Sequence, residues 1–140
     1  MVALVLFPDT NELARKYLLQ GLAERGTTGI AVGSRLPSPM QNRFIRCWTL
    51  PGRATSRRTQ WCQVLVAVYD TKGNDVRCWQ LAQLCAAILR SAPDMEIDGE
   101  QPITEPCELS GPFPQEDPDL PGLPRYQATI TWTVQSTVAP

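Results

Sequence analysis

With 140 residues the chain is long enough for one domain around a single core and too short for two, so we expect a single domain over residues 1–140. Its apolar runs, such as Val64 to Tyr69, are far below the roughly 20 residues that span a bilayer, so no membrane partner is expected. The formal net charge of −1 hides an asymmetry: residues 1–90 hold twelve Lys and Arg against five acids, and residues 91–140 hold one Arg against nine acids.

The first half of the chain predicts one helix followed by three strands. Asp9 and Glu12 have the spacing of an N-cap and its partner, and Gly26 and Gly29 end the helix. The segment "GIAVGSRLPS" predicts a short strand, residues 43–50 a second, and residues 60–70 a third, which is apolar on both faces and therefore central. A polar connection of nine residues, "PGRATSRRT", separates the second and third strands.

The second half predicts another helix, a proline-rich segment and a closing strand. The helix covers residues 74–91, ends at Pro93, and has an apolar stripe formed by Val76, Trp79, Ala82, Cys85, Ala86 and Leu89. Residues 93–124 contain eight of the thirteen prolines and no Lys or Arg, which predicts an acidic surface segment with at most a short edge strand, interrupted at Pro106. From Tyr126 onward apolar and polar residues alternate, as in a strand with one buried face.

These elements predict an α+β fold, in which a mainly antiparallel sheet of four to five strands carries two helices on one face. All four tryptophans fall in predicted elements, so the core is expected to account for most of them. The five cysteines are odd in number and lie mostly in apolar segments, which predicts reduced core thiols of a cytosolic chain rather than disulfides.

The residues needed for common catalytic and metal sites are missing from the sequence. No histidine is present, so neither a Ser-His-Asp triad nor a Cys-His pair can be built, and no cysteine pair has C-x-x-C spacing. No phosphate-cradling glycine motif occurs. We therefore expect no enzymatic activity, no cofactor and no metal.

Charged clusters are the candidate functional residues. Arg53, Arg57 and Arg58 lie in one connection and suit contacts with nucleic-acid phosphates or with acidic side chains of a partner, although a soluble hairpin tip has the same composition. Glu116, Asp117, Asp119 and Arg125 follow in the proline-rich segment and at the start of the closing strand.

Two stretches resemble the tail terminator proteins of long-tailed bacteriophages, particularly those infecting actinobacteria. They are "VGSRLPSPMQNRFIRC" at residues 32–47 and "DPDLPGLPRYQATITWTV" at residues 117–134. The family pattern has a V-x-[ST]-R-x-P-like segment, then a strand opening with "RF-V/I-R", and a final D-x-x-x-G-x-P-R-Y strand. Both pieces occur in this order, and the resemblance covers about residues 9–135.

The resemblance implies a structural virion protein made in the host bacterial cytoplasm. Such proteins form a ring, commonly a hexamer, that caps the tail tube protein, ends tube polymerisation and presents the surface on which the head-completion or connector protein docks. DNA would pass through the lumen without sequence-specific binding. The ring contacts would be heterologous, so the arginine connection either meets a neighbour's acidic segment or lines the lumen.

Two other readings stay open at this point. One is a different ring protein of the phage neck, a stopper or adaptor, which has a similar size and assembles in the same way. The other is a monomeric module that binds a small ligand or nucleic acid, for which salt-dependent affinity for DNA is the discriminating observation.

Overall fold

Two α-helices lie on one face of a five-stranded sheet in the computed structural model, which describes residues 2–39 and 42–139. A second sheet of two strands joins the two ends of the described chain. The elements are β1 (Val5–Leu6), α1 (Thr10–Glu24), β2 (Ala31–Gly33), β3 (Phe44–Ala54), β4 (Thr59–Tyr69), α2 (Asp75–Arg90), a 3-10 turn (Ala92–Asp94), β5 (Ile103–Pro114), β6 (Arg125–Gln135) and β7 (Thr137–Val138).

The strand order of the main sheet is β2-β3-β4-β6-β5. Strand β2 runs parallel to β3, and the other neighbours are antiparallel. Strand β4 is central, as its apolar sequence predicts, and the α+β class with a mainly antiparallel sheet is confirmed.

The inner face of the sheet forms the core with the two helices. The alternating residues of β6 point inward as predicted, and Ala128, Ile130, Trp132 and Val134 are fully buried. The indole Nε1 of Trp132 donates a hydrogen bond of 2.8 Å to the carbonyl of Leu89 in α2. This bond satisfies the polar atom of a buried tryptophan and fixes α2 on the sheet.

Helix α1 begins and ends as the sequence predicts. The side chain of Asp9 accepts a hydrogen bond of 3.2 Å from the backbone nitrogen of Glu12, which satisfies one of the free N–H groups of the first turn. Gly26 follows the helix with a φ of +73°, a conformation that glycine adopts without strain.

The two helices touch at a glycine. A Cβ placed on Gly21 of α1 would lie 2.6 Å from Cγ2 of Ile88 in α2, closer than van der Waals contact allows. A side chain at position 21 would therefore push the helices apart.

The predicted stripe of α2 is wrong at its first turn. Val76 and Trp79 are 70% and 40% exposed, and the buried side of the helix includes Cys78, Leu81 and Ile88 instead. Cys78 faces β4, with its sulfur 3.2 Å from the carbonyl oxygen of Val68. At 3.6 residues per turn, Val76 lies about 160° around the helix from Cys78 and so faces away from the sheet.

The connection between β3 and β4 is shorter than predicted. Both strands continue through a bulge between Pro51 and Ala54, which leaves a turn of four residues at 55–58 instead of nine. Because β2 pairs only with residues 44–46, the rest of β3 is an edge on that side, where a proline is tolerated.

The proline-rich segment contains more regular structure than predicted. The expected edge strand exists, but it covers twelve residues, Ile103–Pro114, and its pairing with β6 shifts register between Thr104 and Glu108 and between Ser110 and Phe113. An edge strand needs hydrogen bonds on one side only, so it can contain residues without an N–H.

Candidate functional site

The arginine hairpin comprises Arg53, Arg57 and Arg58 at the tip between β3 and β4. All three are exposed. The Ser56 hydroxyl accepts hydrogen bonds of 3.0 Å and 3.2 Å from the backbone nitrogens of Arg58 and Thr59, which shape the turn. Within the described chain, the side chains of Arg53 and Arg58 have no hydrogen bond and no ion pair, so both are available to another molecule.

Arg57 is engaged within the chain. Its Nη2 donates a hydrogen bond of 2.7 Å to the carbonyl of Ala3, in the segment leading into β1. Ser136 adds a second link, since its hydroxyl donates at 2.8 Å to the carbonyl of Arg57. The hairpin is therefore tied to both ends of the described chain.

The acidic turn is the segment 115–124, which contains Glu116, Asp117 and Asp119. The Glu116 carboxylate accepts a hydrogen bond of 2.8 Å from the backbone nitrogen of Gly122. The Asp117 carboxylate accepts one of 3.0 Å from the backbone nitrogen of Asp119. Two of the three predicted acidic residues thus shape their own loop, and the side chain of Asp119 is exposed.

Tyr69, at the end of β4, connects the acidic turn to the sheet. Its hydroxyl donates to Asp117 at 3.2 Å and accepts a hydrogen bond of 2.9 Å from Nε of Arg125. The ring of Tyr69 stacks on Phe44, with centroids 4.4 Å apart, and Leu120 packs against the same pair. We call Phe44, Tyr69, Asp117, Leu120 and Arg125 the Tyr69 cluster. The sequence analysis did not identify this cluster, because a tyrosine at the end of an apolar strand has the pattern of an ordinary core residue.

Arg125 belongs to the Tyr69 cluster rather than to a free surface. Besides the bond to Tyr69, its Nη1 donates a hydrogen bond of 3.2 Å to the carbonyl of Gln115. Its guanidinium carbon lies 5.3 Å from the centroid of the Tyr69 ring, a cation–π distance. The guanidinium thus joins the start of the acidic turn to the start of β6.

The arginine hairpin and the acidic turn lie at opposite ends of the sheet. Thr59 pairs with Gln135 next to the hairpin, and Tyr69 pairs with Arg125 next to the acidic turn. Ten residue steps separate these rows, which is roughly 33 Å. The two clusters therefore cannot pair within one chain.

Some of the charged side chains are paired within the fold. At the acidic-turn end, Asp70 has a fully buried carboxylate that pairs with two arginines. Nε of Arg43 lies 3.2 Å from Oδ2 of Asp70, and Nε of Arg77 donates to the same oxygen at 2.9 Å. On the helix side, Lys16 pairs with Asp98 at 2.8 Å.

The ion pairs of Asp70 overcome the cost of burying it. Burial raises the pKa of this carboxyl, but the hydrogen bonds from Arg77 and from the backbone of Thr71 lower it more, so the net pKa lies below the ordinary 3.8. Asp70 is therefore ionised at neutral pH and acts as a structural anion beneath the first turn of α2.

Two tryptophans expected in the core are exposed. Trp61 in β4 is 54% exposed on the outer face of the sheet, and Trp79 in α2 is 40% exposed. Of the four tryptophans, only Trp132 is fully buried. Side chains of a strand alternate between its two faces. Because Cys62 and Val64 point inward in β4, the sequence could have placed Trp61 on the outer face.

All five cysteines are buried as free thiols, which confirms their predicted place in the core. Burial raises the pKa of Cys47 to about 12 and the pKa values of Cys78 and Cys107 to about 11, so these thiols stay protonated at neutral pH. In residues 2–39 and 42–139, no three Cys, Asp or Glu side chains are grouped as metal ligands.

Neither described helix has the length and apolar character needed to cross a membrane. Comparison with known proteins found no matching family model and no curated protein of significant similarity.

Proposed function

We propose that this protein is a tail terminator of a long-tailed bacteriophage, a virion protein that forms a ring, commonly a hexamer, on the end of the tail tube. The ring ends polymerisation of the tube protein and presents the docking surface for the head-completion protein. DNA passes through its lumen without sequence-specific contacts.

One observation carries the proposal beyond the motifs themselves. The two stretches that resemble the family are far apart in the sequence, and they meet at the Tyr69 cluster. Phe44 from "RFIR" stacks on Tyr69, and Asp117 and Arg125 from the final motif bind its hydroxyl. In the first stretch, Met40 and Gln41 lie outside the described residues. Residues from both stretches that resemble the family therefore belong to the same Tyr69 cluster.

A tube-growth experiment tests the proposal. Purified tail tube protein is polymerised with and without this protein, and tube lengths and end-bound density are measured by electron microscopy. We expect growth to stop and a ring to be visible at one end of each tube. The variant Glu24→Gln, an exposed change on α1 away from both charged clusters, should act like the wild type.

The same material separates the other readings. Binding to DNA-filled heads without any effect on tube growth would replace the proposal with a stopper or adaptor of the neck. Salt-dependent binding of duplex DNA by a monomer that ignores both tubes and heads would replace it with a nucleic-acid-binding module.

A further inference from the structure

Exposed aromatic side chains mark two surfaces that the described chain leaves uncovered. Tryptophan and arginine are the residues that most often dominate binding energy at protein interfaces. Trp61 lies next to the arginine hairpin, and Trp79 lies in the first turns of α2, which begins just beyond the acidic-turn end of β4.

The Trp61 surface consists of Leu50, Arg53, Trp61 and Gln63 on the outer face of the sheet. Leu50 is 52% exposed, and together with Arg53, Gln63 and neighbouring atoms it borders a depression of about 440 Å³ beside the Trp61 ring. The unpaired charge beside Leu50 and Gln63 is positive, since Arg53 has no carboxylate partner within the described chain; Glu108 borders a separate depression that also touches Trp61.

The Trp79 surface consists of Asp75, Val76, Trp79 and Glu116. Asp75 and Trp79 are four residues apart on α2, so they share one side of the helix. Asp75 and Glu116 line the same depression of about 390 Å³, which brings the acidic turn beside the first turn of the helix. This surface is apolar at Val76 and Trp79 and carries Asp75 and Glu116 at its border; Arg125 lines the same depression, but its guanidinium binds Tyr69 and the carbonyl of Gln115.

We propose that the Trp61 surface of one copy of this chain packs on the Trp79 surface of the next copy. The inference rests on the proposed ring and names the contact that would build it. Each surface offers exposed apolar area, and the bordering charges have opposite signs.

Electrostatic interactions favour contact between a Trp61 surface and a Trp79 surface, the cross contact, over contact between two identical surfaces. Two Trp61 surfaces facing each other would bring Arg53 against the same arginine of the second copy. Two Trp79 surfaces would bring Asp75 and Glu116 against their own equivalents. The cross contact places Arg53 opposite Asp75 and Glu116, so the charges that border the two surfaces attract each other.

The positions of the surfaces make this contact heterologous. Trp61 lies near one end of β4, and α2 begins beyond the other end, roughly 26 Å further along the strand, so a copy uses one surface for each neighbour. Head-to-tail contacts of this type close into a ring when the rotation between copies allows it.

Single substitutions test the two surfaces separately. Trp61→Ala and Trp79→Ala each remove an exposed ring, and we expect each to weaken self-association at least tenfold in light scattering over a concentration series. Leu19→Ala, which removes an exposed apolar side chain of α1 that is 39% exposed, is the matched control and should associate like the wild type.

Mixing the two variants tests the direction of the contact. A Trp61→Ala copy keeps an intact Trp79 surface, and a Trp79→Ala copy keeps an intact Trp61 surface. The mixture should therefore form pairs near twice 15.5 kDa and nothing larger, although neither variant associates alone. A contact between identical surfaces cannot give this result.

The outcomes separate this inference from the proposed function. If both variants form wild-type rings and still stop tube growth, the Trp61–Trp79 contact is wrong and the tail terminator proposal stands. If the wild-type chain stays monomeric both in solution and on purified tubes, both are overturned.

Discussion

The hydroxyl of Tyr69 accepts a hydrogen bond of 2.9 Å from Nε of Arg125, directly across the pair of strands β4 and β6. The same hydroxyl donates to Asp117, so one oxygen joins the sheet to the acidic turn.

We expect Tyr69→Phe to lower the free energy of unfolding by about 2 kcal/mol, because two bonds to charged groups are lost. Urea denaturation measures this change, and hydrogen exchange should rise at Asp119 and Gly122, whose N–H groups bind the carboxylates of the turn. Tyr126→Phe is the control, since the hydroxyl of Tyr126 has no hydrogen bond to residues 2–39 or 42–139. Equal stability of the two variants would show that the Tyr69 hydroxyl does not hold the turn.

Asp70 makes stability depend on acid pH. Its folded pKa lies below the ordinary 3.8, so its contribution is fully present well above that value and is lost as the pH falls through the lowered folded pKa. We expect Asp70→Asn to cost about 2 kcal/mol at pH 7 and to flatten the pH dependence of unfolding in this window. Denaturation at pH 7, 4 and 3 measures both the loss of stability and its pH dependence. The control is Asp98→Asn, which alters an exposed ion pair and should change the free energy of unfolding little.

Gly21→Ala should destabilise the contact between α1 and α2. The new methyl group would lie 2.6 Å from Ile88, and overpacking of about 2 kcal/mol exceeds the gain of about 1 kcal/mol in helix propensity. In an Ile88→Ala background the methyl group has room, and the same change should stabilise. Thermal unfolding of the wild type, the two single variants and the double variant measures whether the effect of Gly21→Ala on stability changes sign. A destabilisation of equal size in both backgrounds would contradict this prediction.

The native thiols should be unreactive in the folded protein. We expect Ellman's reagent at pH 8 to label none of the five cysteines within minutes and all five after denaturation, because burial keeps the thiols protonated and inaccessible. Gln63→Cys introduces an exposed thiol on the Trp61 surface and should react at once. Fast labelling of a native thiol would show that the core opens on this timescale.

Reversing the free charges of the arginine hairpin should change assembly without changing stability. Arg53→Glu with Arg58→Glu removes no hydrogen bond of the described chain, so we expect unfolding within about 0.5 kcal/mol of the wild type. Binding to tail tubes should fall and lose its salt dependence. Arg15→Glu with Arg25→Glu is a control of equal charge change on α1. Unchanged tube binding by the hairpin variant would remove the arginine hairpin from the functional surface.

The elements with a clear period could be predicted from the sequence. Strand β6 alternates strictly and lies as expected, and α1 has a cap that identifies its start. The buried side of α2 could not be placed at its first turn, since Val76 and Trp79 are apolar and exposed. The apolar character of a side chain does not by itself determine whether the side chain is buried, because burial depends on which neighbouring elements pack against it.

The charged residues of the candidate site could be located but not interpreted. The sequence identifies Arg53, Asp117 and Arg125 as candidates, yet Arg125 turns out to bind Tyr69, and Asp117 binds the same hydroxyl. Contacts of this kind depend on strand register across β4 and β6, which the sequence pattern does not specify.

The pairing of β1 with β7 brings two segments near the ends of the described chain side by side, with Val5 opposite Val138 and Leu6 opposite Thr137. A short linker could therefore join them, and the chain could be reopened at the exposed turn around Gly73 as a circular permutant. If the protein forms the proposed ring, labels attached at the exposed Leu4 and Val138 would lie at the same place on every subunit, beside the arginine hairpin.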